Sequence, residues 1–262
     1  MIKAVVFDLD GTLVKTEELK ALSYARAASG VNPLLSEDAV ADAYRDVVGL
    51  PRQEVSEYLV RKFGLGGALQ SQMQNDTDAP WKGLAGKHIE VYGAMIETPG
   101  LLGKYKCPYN IGLLASVKRE GFQVGLATMS HRPDTHRVLE ILGLEGLFNV
   151  IATREDVGKG KPDPEIYLYV SRKLGVRPEE SLVIEDSVNG IRSALAAGMA
   201  CIAVTSTFTR RSVHESGLVA GQWIVDDPSL LMTVAHRMMA EKRVEDHATL
   251  STFSVPKKTF TN

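Results

Sequence analysis

What most restricts this chain is a set of short, continuous apolar runs rich in β-branched residues, with helical pattern filling the gaps between them. The first is Ala4-Val5-Val6-Phe7; the others lie at residues 123–127, 149–152, 181–184 and 201–204. A run without polar and apolar alternation reads as a strand buried on both faces. Between the later runs, residues 111–120 place Leu113, Leu114 and Val117 on one face and stop at Gly121. Residues 133–142 open on Pro133 and stop at Gly143. Asp163-Pro164 starts a helix that stops at Gly175, and Ser187 caps one that stops at Gly198. Strand and helix in strict alternation build a parallel sheet with helices on both faces.

Residues 8–110 break that alternation. They hold no comparable apolar run and predict helices over 17–29, 36–48 and 51–63, with Gly30, Gly49 and Gly64 as stops. Residues 64–87, rich in Gly, Gln and Asn, read as irregular, with a weak helix resuming near His88. The expectation is a helical domain inserted after the first strand. It divides the chain into a discontinuous core (1–15 and 103–243), a helical cap (16–102) and a polar, flexible tail (244–262). With 30 basic and 32 acidic side chains the net charge is −2, which excludes a nucleic-acid protein built on a broad basic face. No apolar run approaches the ~18–20 residues that span a bilayer. Asp8 follows the opening residues too soon for a signal peptide, and Cys107 and Cys201 stand too far apart for a metal clip or disulfide framework. The expected setting is cytoplasmic, without nucleic-acid or membrane partners, as a monomer or weak homodimer.

In an open parallel sheet, ligands gather outside the carboxyl ends of the strands. Here those ends read Asp8-Leu9-Asp10-Gly11-Thr12, Thr128-Met129-Ser130 and Glu185-Asp186-Ser187, with Lys159-Gly160-Lys161-Pro162 in the loop after the third run. Taken singly, each has an ordinary explanation: a turn, a strand-end hydroxyl, a solvated lysine, a helix start with acids near its positive end. Together they bring several carboxylates, a hydroxyl and a lysine to one edge. Clustered carboxylates repel unless a cation sits among them, and Mg²⁺ prefers such oxygens along with water and phosphate. Lysine and hydroxyl donors suit phosphoryl oxygens. An ionised aspartate can attack phosphorus, and a second carboxylate can give a proton to the leaving oxygen and later take one from water.

Phe7-Asp8-Leu9-Asp10-Gly11-Thr12-Leu13-Val14, Leu126-Ala127-Thr128, Gly160-Lys161-Pro162-Asp163-Pro164 and Ile184-Glu185-Asp186-Ser187 resemble the four signature motifs of the haloacid dehalogenase-like hydrolase superfamily. The resemblance implies an α/β, doubly wound parallel-sheet (Rossmann-like) core with an inserted α-helical cap. The subgroup it resembles includes β-phosphoglucomutase and phosphoglycolate phosphatase. It implies Asp8 as nucleophile and Asp10 as general acid and base. It also implies Thr128 and Lys161 as phosphate ligands, with Met129 and Ser130 beside them. Mg²⁺ would be held by Asp8, the backbone carbonyl of Asp10 and Asp186, with Glu185 as a further ligand or a neighbour of one.

Because Asp10 is present, phosphate esters or anhydrides are the implied substrates rather than carbon–halogen bonds. Gly49-Leu50-Pro51-Arg52-Gln53-Glu54 resembles a segment that places an arginine, here Arg52, over the active site of phosphosugar enzymes. Lys15, Lys20 and His131 stand where mutases of the family differ, and Pro108-Tyr109-Asn110 stands where Pro-Gly is common. The expected activity is hydrolysis of a small phosphorylated metabolite, of the sugar-phosphate or phosphoglycolate type, through an aspartyl phosphate. The alternatives are a phosphosugar mutase and a non-catalytic phospho-binding or regulatory protein. A receiver-type signalling domain is about half as long and places its acidic pair before its phosphoacceptor. A dinucleotide enzyme needs a Gly-rich strand-to-helix turn, whereas Gly64-Leu65-Gly66-Gly67 follows a predicted helix.

Overall fold

Six parallel strands run side by side in the order β3-β2-β1-β4-β5-β6. They are β1 (Ala4–Phe7), β2 (Gln123–Ala127), β3 (Val150–Ala152), β4 (Ser181–Glu185), β5 (Ala200–Val204) and β6 (Ile224–Val225). The computed structural model describes residues 1–48, 50–72 and 79–252. Side chains of β1 alternate between two apolar layers, which is why the run is continuous. Val5 and Phe7 join one layer with Leu114, Val138 and Leu231, and Val6 joins the other with Tyr167, Val170 and Ile191. Phe7 is level with Leu126 of β2 and Ile184 of β4, so Asp8, Ala127 and Glu185 leave the sheet at the same height. The chain winds outward from β1 in both directions, which makes the carboxyl end of β1 and β4 the switch point.

The helices are α1 (Thr16–Val31), α2 (Glu37–Tyr44), α3 (Arg52–Lys62), α4 (Gly66–Gln72), α5 (Pro80–Glu97), α6 (Leu101–Lys104), α7 (Pro108–Arg119), α8 (Arg132–Leu142), α9 (Glu165–Leu174), α10 (Val188–Ala196), α11 (Arg210–Ser216) and α12 (Leu231–Thr252). Helices α7, α8 and α12 supply the first apolar layer, and α9, α10 and α11 the second. Ser187 caps α10 as its position requires, its Oγ accepting from the Gly190 N–H at 3.1 Å. Asn110 is buried on α7 and donates from Nδ2 to the Thr12 carbonyl at 2.6 Å, which ties α7 to the loop behind Asp10.

Helices α1 to α5 gather around a separate apolar cluster that includes Tyr24, Ala28, Val40, Leu59, Leu69 and Leu84. Here the structure corrects one expectation. The segment 64–87, read as irregular, folds as α4 and the start of α5, and the weak helix near His88 begins eight residues earlier, at Pro80. Residues 73–78 of that segment, and the predicted stop at Gly49, lie outside the described residues. The expected tail enters the structure as the last turns of α12, to Thr252; residues 253–262 lie outside it. Strand β6, two residues long, was not among the predicted runs. Among the described residues no helix is long and apolar enough to cross a membrane.

Candidate active site

Asp8 is the first residue beyond β1, and its N–H continues the ladder to the Ile184 carbonyl at 3.0 Å. That fixes its side chain at the switch point. Lys161, delivered by the loop after β3, points its ammonium into the same place. It donates to Asp8 Oδ1 at 2.7 Å, Glu185 Oε1 at 2.5 Å and the Ala127 carbonyl at 3.0 Å. All three charged side chains are almost wholly buried: Lys161 is 6 % exposed, Asp8 7 % and Glu185 1 %. Asp186, directly after β4, completes the group; one carboxylate oxygen each from Asp8, Glu185 and Asp186 lie within 4.8 Å of one another.

Three carboxylates share one ammonium, and the imbalance shows in their acidities. Burial first, then the charges of Glu185 and Asp10, push the Asp8 carboxyl up to about 8 although Lys161 pulls the other way. Asp186 is held well above the usual carboxylate range by burial and the neighbouring Glu185 and Asp8 charges. Glu185 goes the opposite way: against its burial, Lys161 and several hydrogen bonds keep it low. Its Oε1 also accepts from the Tyr167 hydroxyl at 3.0 Å, and its Oε2 from the Asp186 N–H, the Ser187 N–H and the Ser187 hydroxyl. Both oxygens of Glu185 are therefore occupied by protein donors, whereas among the described residues no hydrogen bond reaches the Asp186 carboxylate.

This donor set fits a hard divalent cation. Buried oxygens that lack protein donors, in excess of the available positive charge, are what Mg²⁺ takes in place of water. Two glycines make room for the carboxylates. Gly11 has φ +81°, and a Cβ there would overlap the Asp186 carboxylate; a Cβ on Gly190 would overlap that of Glu185.

Asp10 lies two residues on and its carboxylate is outside this cluster. Its Oδ1 accepts from Thr16 Oγ1 at 2.5 Å and Lys20 Nζ at 2.8 Å, its Oδ2 from Ser130 Oγ at 2.5 Å and Thr128 Oγ1 at 3.1 Å. Burial alone would raise its pKa, but the Lys20 charge and these hydrogen bonds hold it well below the usual range. Thr128 and Ser130, expected beside a phosphate, are thus both turned to Asp10. The side chain of Met129 packs with the second apolar layer. Arg52, at the first turn of α3, reaches across to Asp134 of α8 at 4.0 Å. Of the three positions where mutases differ, Lys15 is half exposed at the start of α1 and His131 pairs through Nδ1 with Glu155 at 2.6 Å. The third, Lys20, sits between Asp10 and Glu17, and Tyr44 donates to the other oxygen of Glu17. Sequence reasoning noted Lys20 only as a departure. The signal was the spacing of Thr16 and Lys20, one turn apart on a single helical face, both able to meet one carboxylate.

Residues 2–198 match the model of the haloacid dehalogenase-like hydrolase family. A phosphorylated carbohydrates phosphatase of Thermotoga maritima is 31 % identical over 222 residues, 84 % of this chain and 93 % of that protein. The β-phosphoglucomutase of Bacillus subtilis is 29 % identical over 203 residues, 78 % of this chain and 83 % of its own. Among solved structures, CbbY of Rhodobacter sphaeroides in complex with phosphate superposes with a TM-score of 0.64 at 27 % identity, covering 88 % of this chain and 96 % of the other.

Proposed function

The chain belongs to the haloacid dehalogenase-like hydrolases, and from that premise we propose that it is a Mg²⁺-dependent phosphatase that hydrolyses phosphate esters of small metabolites of the carbohydrate type through a phosphorylated Asp8. The observation that carries this reading is the unequal treatment of the two aspartates after β1. Among the described residues, Asp8 keeps one oxygen without a protein donor beside Lys161 and Asp186, as a nucleophile needs, while Asp10 is held by a lysine and three hydroxyls.

In the first step an Asp8 oxygen attacks phosphorus and the bond from phosphorus to the alcohol oxygen breaks. Asp10, ionised while Lys20 and the three hydroxyls hold it, takes up a proton from solvent as Thr128 and Ser130 turn to the phosphoryl oxygens, and gives it to that alcohol oxygen. In the second, water attacks the phosphorus of the aspartyl phosphate, Asp10 takes the water's proton, and Asp8 leaves as a carboxylate. Lys161 holds Asp8 and supplies positive charge to the phosphoryl oxygens. Thr128 and Ser130 are the hydroxyl donors at hand for those oxygens once they release Asp10. Asp8, the Asp10 carbonyl and Asp186 would hold Mg²⁺, with Glu185 orienting Lys161 and the start of α10. The ion, when bound, offsets the clustered charge and polarises the phosphoryl group.

Phosphate release from sugar phosphates, phosphoglycolate and p-nitrophenyl phosphate, with and without Mg²⁺, tests the reading. Release that requires Mg²⁺ and is lost in Asp8→Asn supports it. Conversion of β-glucose 1-phosphate to glucose 6-phosphate in the presence of a trace of the 1,6-bisphosphate, with almost no phosphate release, replaces it by the mutase.

A further inference from the structure

We propose that His88 determines specificity: its Nε2 accepts a hydrogen bond from a hydroxyl on the alcohol half of the substrate, so that polyhydroxylated phosphate esters are preferred over plain alkyl ones. The proposal rests on the phosphatase reading above and assigns the class of leaving group. His88 lies in the middle of α5, 5 % exposed, stacked flat on Tyr24 with ring centroids 3.8 Å apart and planes 2° from parallel. Its Nδ1 is 2.8 Å from the Ser23 hydroxyl, and that hydroxyl donates its only proton to the Lys20 carbonyl at 2.8 Å. Ser23 must therefore accept from an Nδ1–H. Burial, with the Arg52 and Lys20 charges, pushes the ring down to about 3, so it is neutral at physiological pH. A neutral ring with its proton on Nδ1 carries a bare lone pair on Nε2.

Among the described residues nothing donates to that lone pair. Nor is Nε2 one of the fully buried side-chain atoms without a partner, which among the described residues are Thr12 Oγ1, Asn110 Oδ1 and Thr135 Oγ1. It therefore opens to solvent through the small exposed part of an otherwise buried ring. The charges that act on the ring say where. Lys20 holds Asp10, and Arg52 reaches Asp134 on the core. Tyr92, one turn further along α5 and 5.9 Å from the His88 ring, feels Lys20, Asp10 and Asp134 together. These neighbours set the ring beside Lys20 and Arg52, near Asp10, and the proposal places Nε2 toward the departing oxygen that Asp10 protonates, where the alcohol half must lie. An acceptor that cannot take a proton repels an anion and wants a donor; a hydroxyl is the donor such an alcohol carries. Any second anionic group of the substrate would go to Arg52 instead.

The test compares kcat/KM for the best of a panel of hexose, pentose and triose phosphates with that for n-hexyl phosphate and p-nitrophenyl phosphate. Wild-type protein is expected to favour the sugar phosphate over hexyl phosphate by about tenfold or more. His88→Phe keeps the stack on Tyr24 and should erase that preference while leaving p-nitrophenyl phosphate within about twofold; His88→Gln, which keeps an acceptor, should retain most of it. An unchanged preference in His88→Phe, or an equal fall for all substrates with melting temperature unchanged, overturns the inference. If the Phe variant does not fold, the wild-type preference and the Gln variant decide: equal hydrolysis of sugar and alkyl esters by the wild type, or a lost preference in a folded Gln variant, overturns it. A wild type that hydrolyses none of the substrates fails the phosphatase reading and this inference with it, whereas one that hydrolyses all of them equally fails this inference alone.

Discussion

The two ends of β4 carry acidic residues in opposite conditions. At its amino end Glu180 accepts from the Arg177 N–H at 3.1 Å and pairs with Arg177 at 3.0 Å and Lys3 at 2.7 Å. Those partners pull its carboxyl down to about 2. At the carboxyl end, five residues later, Glu185, Asp186 and Asp8 crowd around Lys161, and Asp8 and Asp186 are driven upward instead. Strand and sheet are the same; only the end differs. One end is arranged to satisfy charge, the other to keep charge unsatisfied until something binds. A buried group short of partners destabilises the fold, and the surrounding apolar layers of Phe7, Leu126, Ile184 and Tyr167 hold it in place.

Removing the nucleophile should separate the ends most sharply. Asp8→Asn is expected to lower turnover roughly a thousandfold or more while leaving circular dichroism unchanged. Asp8 binds its proton more tightly when folded, so its contribution to stability falls as pH rises from the ordinary carboxylate value of 3.8 through about 8. In EDTA the variant should therefore be more stable than wild type, by a margin that widens across that window. Equal stability at every pH would break the contrast between the two ends.

Metal is the next lever. Mg²⁺ should raise the melting temperature of wild type in a concentration-dependent way, and Asp186→Ala should need about tenfold more Mg²⁺ or higher for the same rise. A wild type that gains no stability from Mg²⁺ would remove the reason for the crowding. Lys161→Met leaves three buried carboxylates without their ammonium and should cost about 3–5 kcal/mol in metal-free buffer, measured by urea denaturation. The smallest effect belongs at the other end. Lys3 and Arg177 are 58 % and 70 % exposed, so Glu180→Gln should cost at most about 1 kcal/mol. That contribution is present above pH 4.5 and disappears as pH falls through about 2. A loss at Glu180 as large as that at Lys161 would make the two ends alike.

The parts of this molecule that could be read in the chain are those set by local pattern. β1, β2, β4 and β5 are continuous apolar runs, and Asp8, Thr128, Glu185 and Asp186 stand at or just beyond their ends, so finding the strands places these residues at the edge. Helix α5 resisted because Gly83, Gly86 and Gly93 each lower helix propensity by about 1 kcal/mol. Burial of Leu84, Ala85, His88, Met95 and Ile96 outweighs that cost, and no local signal announces it. β6 is too short to register as a run. The contacts that set the state of Asp10 and His88 depend on how α1 and α5 lie against the core and each other. Asn110 meets Thr12 from 98 residues away, and His88 meets Ser23 from 65. Spacing along the chain does not encode such meetings.

The most direct test of the central claim, that the crowded end of β4 makes Asp8 a nucleophile, is a rapid acid quench during turnover with Mg²⁺ and a sugar phosphate, followed by mass spectrometry of the peptide containing residues 1–20. Expected is an acid-stable, base-labile phosphoryl group on Asp8 that forms before phosphate release and is absent in Asp8→Asn. Steady phosphate release with no phosphoryl group on that peptide at any time point, together with activity retained in Asp8→Asn, would contradict it.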